Sequence, residues 1–429
     1  MTEQLTSGWV AAWSNTPGPQ ALEWALLLAV ATLAGHWVQR FTRLPKIIGY
    51  AVVGAVTGWF GLAGAAWPLQ GVGLFLLELG IAVVLFDAGA RLSLRWLRHN
   101  PMVVVQSLVE SLLTYAVAFV TLYALGIELT VVRALAVLAV ATAPAVLMRV
   151  VSDLRADGPM TDRAIALATL NTLYTLTLGT AMLRSIGRGD GSMLASVGAS
   201  LGVLGISLLL GGVLAGLLAL GFRILRATSQ DTAVVMLALI GACTAVAAPL
   251  GGSAPLAVLL GGILLKQFYP RPWVWPRQLG TAASMLTILM FVLVSSMAAQ
   301  ANWHGALTWA ALALIVVRAL AKVVSLVATS WGSGLSPRKS FWVGVAMVPM
   351  SSVALLLTSQ FVSASPSIGE KVAAIALPVI LITELIGAVL VSLALYRTGE
   401  AAKPWRQPGA PESAPEADVE PETDRGPLT

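Results

Sequence analysis

The sequence predicts an all-α polytopic membrane protein of about thirteen spanning helices, on three observations. Its 429 residues are 57% hydrophobic and 11% charged, with a mean hydropathy of +0.84. Its apolar runs are too long for buried helices of a soluble domain and lack the alternation of a membrane barrel. Its cations are unevenly shared. Alternate loops, counted with the C-terminal tail, hold twenty Lys and Arg residues, among them Arg40, Arg91, Arg149, Lys266 and Arg338. The intervening loops hold four, Arg133, Arg184, Arg188 and Lys371. That asymmetry predicts an outer N-terminus and a cytoplasmic C-terminus, hence an odd number of spans.

The same composition excludes several classes. The net charge of +6 is scattered singly through short loops, so membrane orientation accounts for it and no nucleic-acid partner is expected. Histidine occurs only at His36, His99 and His304, and neither HExxH nor CxxC is present. No metal site or cofactor is therefore expected, and without a nucleophile–base constellation the chain does not read as an enzyme. Cys243 stands alone in an apolar run and reads as packing. A polar start with Glu3 does not read as a cleaved signal. The bilayer is the expected surrounding, as a multi-pass protein of a cell membrane, the inner membrane of a bacterium.

In order, the spans begin near Leu22, Ile47, Val72, Met102, Val132, Ala164, Leu194, Thr232, Ala254, Leu279, Leu307, Phe341 and Val372. The second opens at Pro45 and carries Gly49, Gly54 and Gly58, small residues that let neighbouring backbones approach. Glu78 and Asp87 in the third read as structural. The fourth places Glu110 several residues in. The fifth is broken by Pro144, two residues after Thr142; proline removes a backbone bond, which hydrocarbon tolerates only beside a cavity or neighbouring protein. The sixth pairs Asn171 with Thr172 near its middle, and the seventh is dense in glycine.

The later spans repeat the pattern in the opposite sense. The eleventh carries Arg318, with Lys322 four residues on; the twelfth is interrupted at Pro349 and followed by Ser351 and Ser352; the thirteenth pairs Thr383 with Glu384. Two proline-interrupted spans at matching positions of inverted halves point to a transport site at the membrane midplane. A lone cation at that depth costs at least roughly 2.5–3.5 kcal/mol, so Arg318 needs a partner. Glu110 is the first candidate, as its pseudo-symmetric counterpart, and Glu384 the second. Such a pair is either a structural ion pair or the protonatable group itself. Hard oxygen ligands for a small cation are available in the Thr172 hydroxyl, the Asn171 carbonyl and the freed carbonyls around Thr142 and Pro349.

Thr142-Ala143-Pro144 resembles the Thr-Ser/Ala-Pro break on the fifth helix of the cation:proton antiporter superfamily, the sodium/hydrogen exchanger type. The Leu85, Phe86, Gly89 and Leu92 pattern is similar to its third helix, and Arg318 to the basic residue of its eleventh. The sixth helix of that family carries Asp-Asp or Asn-Asp, where this chain has Asn171-Thr172. The resemblance covers the chain to about residue 397. It implies a secondary transporter exchanging a monovalent cation, Na+ or K+, for a proton by alternating access. It further implies a homodimer joined through the early helices and the Gly-rich seventh span. The core helices, about 102–185 and 307–397, would move against a scaffold formed by the rest of a 1–397 transporter domain. The missing carboxylate leaves two alternatives open: a changed substrate or coupling, such as an anion drawn to Arg318, or a transport-silent sensor or partner. The Pro- and Glu-rich stretch 398–429 reads as a disordered tail.

Overall fold

A computed structural model describes residues 18–42, 44–60, 71–188, 193–224, 230–268, 277–300, 306–350 and 352–402. Among them the chain forms sixteen α-helices and no strand. In order these are α1 (Gly18–Thr42), α2 (Lys46–Trp59), α3 (Gly71–Arg91), α4 (Leu94–His99), α5 (Pro101–Ala124), α6 (Leu129–Val140), α7 (Pro144–Leu154) and α8 (Pro159–Arg188). Then follow α9 (Met193–Ile224), α10 (Gln230–Leu250), α11 (Ala254–Phe268), α12 (Arg277–Ala299), α13 (Ala306–Ala328), α14 (Pro337–Ala346), α15 (Ser352–Ala364) and α16 (Pro366–Thr398). Seven of the described segments are long and apolar enough to cross a membrane, and four shorter apolar helices accompany them.

Both proline interruptions are real breaks. The fifth span divides into α6 and α7 around Ala141–Ala143, and the twelfth divides into α14 and α15. The first has a local cause: proline's ring excludes the residue before it from the helical region, and Ala143 is extended at φ −87°, ψ 94°. Pro144 then starts α7, where its missing N–H costs nothing. The segment Leu129–Leu154 is 94% buried, whereas α10 is 28% buried, so the broken span lies at the centre and α10 at the rim.

The helices pack in two groups. One joins α5 to α13 and α6, with α14 on α13 and α15 on α16; the other joins α12 to α2 and α3, with α11 on α9 and α3. Close approach in the second group uses the expected glycines. A methyl group on Gly58 would lie 2.7 Å from the Ser296 Cα of α12, so only a hydrogen fits there. The Gly-rich α9 is divided in its use. A methyl on Gly211 would press on Gly261 of α11, while Gly202, Gly205 and Gly216 have nothing within 4 Å.

Two boundaries are set by local contacts. The third span ends at Arg91, and Ser93 caps the separate short α4 by accepting from the Trp96 N–H at 3.4 Å. The expected disordered tail does not begin at 398. Gly399 ends α16 in the left-handed region (φ 75°), and the chain turns back on α8. The Glu400 carboxylate accepts from the N–H groups of Met160 (2.9 Å) and Thr161 (2.8 Å) and from the Thr161 hydroxyl (2.9 Å). Backbone bonds from Asp157 N to Glu400 O and from Ala402 N to Leu154 O complete the dock. Composition missed it because one carboxylate over the open amides of a helix N-terminus outweighs local disorder propensity. Residues 403–429 lie outside the described residues.

Candidate ion site

The two breaks cross at a backbone hydrogen bond from Ala143 N to Pro349 O of 3.1 Å. At the crossing, α6 and α14 both present their C-terminal ends, which leave carbonyls without helical partners and carry fractional negative charge. Arg318, fully buried on α13, lies between them. Its Nε donates to Ala139 O at 2.7 Å, its terminal nitrogens donate to Ala141 O and Val348 O, and a longer bond reaches Pro349 O at 3.4 Å. A guanidinium offers five N–H groups in a flat fork. Here that fork ties both helix ends together and neutralises them.

One turn further along α13, the fully buried Lys322 meets a different set. Its Nζ donates to Glu110 Oε1 (2.5 Å), Thr142 Oγ1 (3.1 Å) and Val140 O (3.3 Å). The other Glu110 oxygen accepts from Asn171 Nδ2 at 2.5 Å, and Thr114 donates to Oε1 at 3.2 Å. Asn171 is held in turn by α5, because Ser107 and Ser111 each donate to its Oδ1 at 3.2 Å. Its amide N–H also reaches Thr142 Oγ1 at 3.4 Å. Thr172 donates to Thr142 O (3.2 Å) and Ala168 O (2.8 Å). Glu110, Asn171, Thr142 and Thr172 are all buried. The result is one closed polar cluster beside the crossing, with a carboxylate at its centre.

Several expectations change against this geometry. Glu110 does share a buried site with Asn171, but its ion pair is with Lys322 rather than Arg318. Arg318 needs no carboxylate because carbonyls of both broken spans surround it. The Asn171 carbonyl is not open to a cation, since it accepts from two serines. The freed carbonyls of Thr142 and Pro349 are likewise engaged, by Thr172 in one case and by Ala143 and Arg318 in the other. Glu384 is not Arg318's partner. It lies buried on α16 and accepts from Ser295 of α12 at 3.2 Å. Its neighbour Thr383 accepts from Met350 N at 3.3 Å. Pro349 is buried and packs on Gly387, where a methyl would come within 2.6 Å of the proline ring. Ser351 lies outside the described residues.

Sequence reasoning left out Ser107, Ser111 and Thr114 and gave Lys322 no partner. A signal existed. Ser107, Glu110, Ser111 and Thr114 fall at i, i+3, i+4 and i+7, one face of a helix, and Arg318 and Lys322 at i and i+4 share another.

Among the described residues, cavities lie between the helix groups on the arginine-rich side. One, of 360 Å³, is lined by Arg91, Ser93, Trp96, Asp162 and Lys266. The other, of 220 Å³, lies among α3, α7 and α12 and is lined by Asp87, Arg149, Ser152 and Thr287.

The family model described as sodium/hydrogen exchanger, transmembrane, matches residues 25–396. The chain belongs to the sodium/hydrogen exchanger family. Among solved structures, this exchanger-family chain is similar to the sodium proton antiporter of Methanocaldococcus jannaschii at pH 8, with a TM-score of 0.66 at 16% identity. That match covers 90% of this chain and 99% of the other. An electron-microscopy map of the sodium proton antiporter from the same organism matches with a TM-score of 0.67 at 17% identity, covering 89% and 98%. No curated protein matches. The fold is thus the antiporter fold, an all-α membrane bundle with two broken, crossing spans.

Proposed function

We propose that this protein exchanges a monovalent cation, Na+ or K+, for a proton across a cell membrane, with Glu110 as the carboxylate of the exchange site. The observation that carries the reading is the Lys322 ammonium, seated among one carboxylate, one hydroxyl and one carbonyl oxygen beside the crossing. Those are the hard oxygen ligands that a small cation takes. Lys322 occupies the position of a bound cation, and unlike a guanidinium it can lose its proton. When it does, Glu110 is left as an uncompensated buried charge, and an entering cation restores neutrality. One proton leaves for each cation bound, with Thr142 and Val140 oxygens shared between the two occupants. Glu110 thereby takes the place of the carboxylate absent at Thr172.

Alternating access fits the packing. The group built on α5–α8 and α13–α16 is the core that moves, and α1–α3 with α9–α12 is the scaffold. The two cavities between them supply access from the arginine-rich, cytoplasmic side. The working form is a homodimer through α1 and α9. An anion substrate loses its attraction on this geometry, because the Arg318 fork is filled by carbonyls. Everted membrane vesicles test the reading: Na+ or K+ added to respiring vesicles should dissipate the proton gradient only when the protein is present. Glu110→Gln should abolish that response. Full exchange by Glu110→Gln, or none by the wild type with any alkali cation, would refute it.

A further inference from the structure

The exchange cycle above uses Glu110 and leaves a second buried carboxyl without a role. Glu384 is 3% exposed, in the middle of α16, and the one side-chain hydrogen bond it makes among the described residues is accepted from the hydroxyl of Ser295. It has no ion pair there. Charged groups stand on the elements packed against α16, and none of the described ones forms an ion pair with it. Arg318 and Lys322 of α13 are turned to carbonyls and to Glu110. Arg149 of α7 pairs with Asp153 at 3.5 Å, and Lys339 of α14 stands 3.9 Å from Glu400.

The position is as telling as the isolation. Thr383 reaches the unwound stretch at Met350, while the next residue, Glu384, reaches across to α12. There Ser295 sits under Gly54 of α2, within 3.0 Å of where a methyl on that glycine would lie. Glu384 is therefore on the seam where α16 meets α12 and α2, between the two helix groups. A carboxyl in an apolar seam with one hydroxyl donor has little to compensate a negative charge. A shift of α16 along α12 breaks the Ser295 contact and changes that environment.

We propose that Glu384 is a second proton-carrying group of this protein, protonated while α16 is docked on Ser295 and giving its proton to water when the seam opens. The step is a simple ionisation, in which the carboxyl O–H bond breaks and the proton passes to water in a cavity between the helix groups. The inference rests on the exchange reading where the proton is counted per cycle. There it adds one proton to the one lost by Lys322, so that two protons move against one cation and net charge crosses the membrane.

The test uses the full chain reconstituted in liposomes, with two readouts. Infrared difference spectra on changing pH report a titrating carboxyl whether or not any cation moves. Wild type and Glu110→Gln should both show the C=O stretch of a protonated carboxyl; Glu384→Gln should lose it, and Ser295→Ala should move its midpoint. In exchange assays with Na+ or K+, an imposed membrane potential should change the wild-type rate and leave Glu384→Gln unaffected. A carboxyl signal unchanged by Glu384→Gln, or absent from wild type, would overturn the proposal, as would wild-type exchange indifferent to potential. A Glu384-dependent signal in a protein that exchanges no cation would uphold the proton site and overturn the exchange reading alone. If Glu384→Gln fails to fold, Ser295→Ala decides: an unmoved midpoint counts against the proposal.

Discussion

At the residue scale, the proposed exchange turns on which cation can release a proton. Replacing Lys322 by Met leaves Glu110 buried without its ion pair. That should cost about 3–5 kcal/mol of stability, read as a lowered unfolding temperature in detergent. Removing both charges, Glu110→Gln with Lys322→Met, should restore much of that loss without restoring exchange. The double-mutant cycle then isolates the pair. Lys322→Arg keeps the charge but cannot lose a proton, so the folded variant should show no cation-dependent proton movement. Exchange at the wild-type rate by Lys322→Arg would rule out Lys322 as the proton donor. Arg318 fails differently. Arg318→Lys cannot span the carbonyls of both breaks, so its effect should be on stability of the crossing as well as on transport.

Individual elements carry a second set of expectations. The first turn of α8, the helix that presents Asn171, is closed by Glu400 from beyond the end of α16. Glu400→Ala uncovers two amides and a hydroxyl and should cost about 1–3 kcal/mol. Hydrogen exchange should quicken at Met160 and Thr161 in that variant, while Lys339→Ala, removing only a 3.9 Å ion pair from an exposed lysine, should change little. Equal protection of those amides in wild type and Glu400→Ala would show that the dock is incidental. At the other end of the site, Gly387→Ala places a methyl against the Pro349 ring. The second break must shift, and exchange should fall even where the protein still accumulates in the membrane.

Across the whole molecule, the exposed apolar faces bear on assembly. Leu209 of α9 is 66% exposed and Trp37 of α1 is also 66% exposed, the faces proposed for the dimer. Exposed positions on the proposed core, such as Leu112 of α5 and Val316 of α13, are expected to face lipid. In a Cys243→Ser background, single cysteines along α1 or α9 should yield disulfide-linked dimers. Cysteines at 112 or 316 should not. Dimers joined through the core positions would contradict the proposed arrangement.

Sequence by itself determined the class of the molecule, its two breaks and most of the residues gathered at them. Hydropathy and cation asymmetry are summed over many residues, and proline acts on its immediate neighbours, so both are legible without a fold. Asn171, Thr172, Thr142, Glu110 and Arg318 could be picked out as polar groups in apolar spans for the same reason. The partners could not. Whether Glu110 meets Arg318 or Lys322 depends on the rotation of α5 against α13, and one turn of α13 separates the two answers. Tertiary structure decided it, because only Arg318's flat fork bridges the carbonyls of both helix ends, leaving the compact ammonium one turn on for the carboxylate. The same holds for Glu384 and Glu400. Each is set by a contact with a distant element, Ser295 in one case and the first turn of α8 in the other, and no local periodicity encodes such a contact.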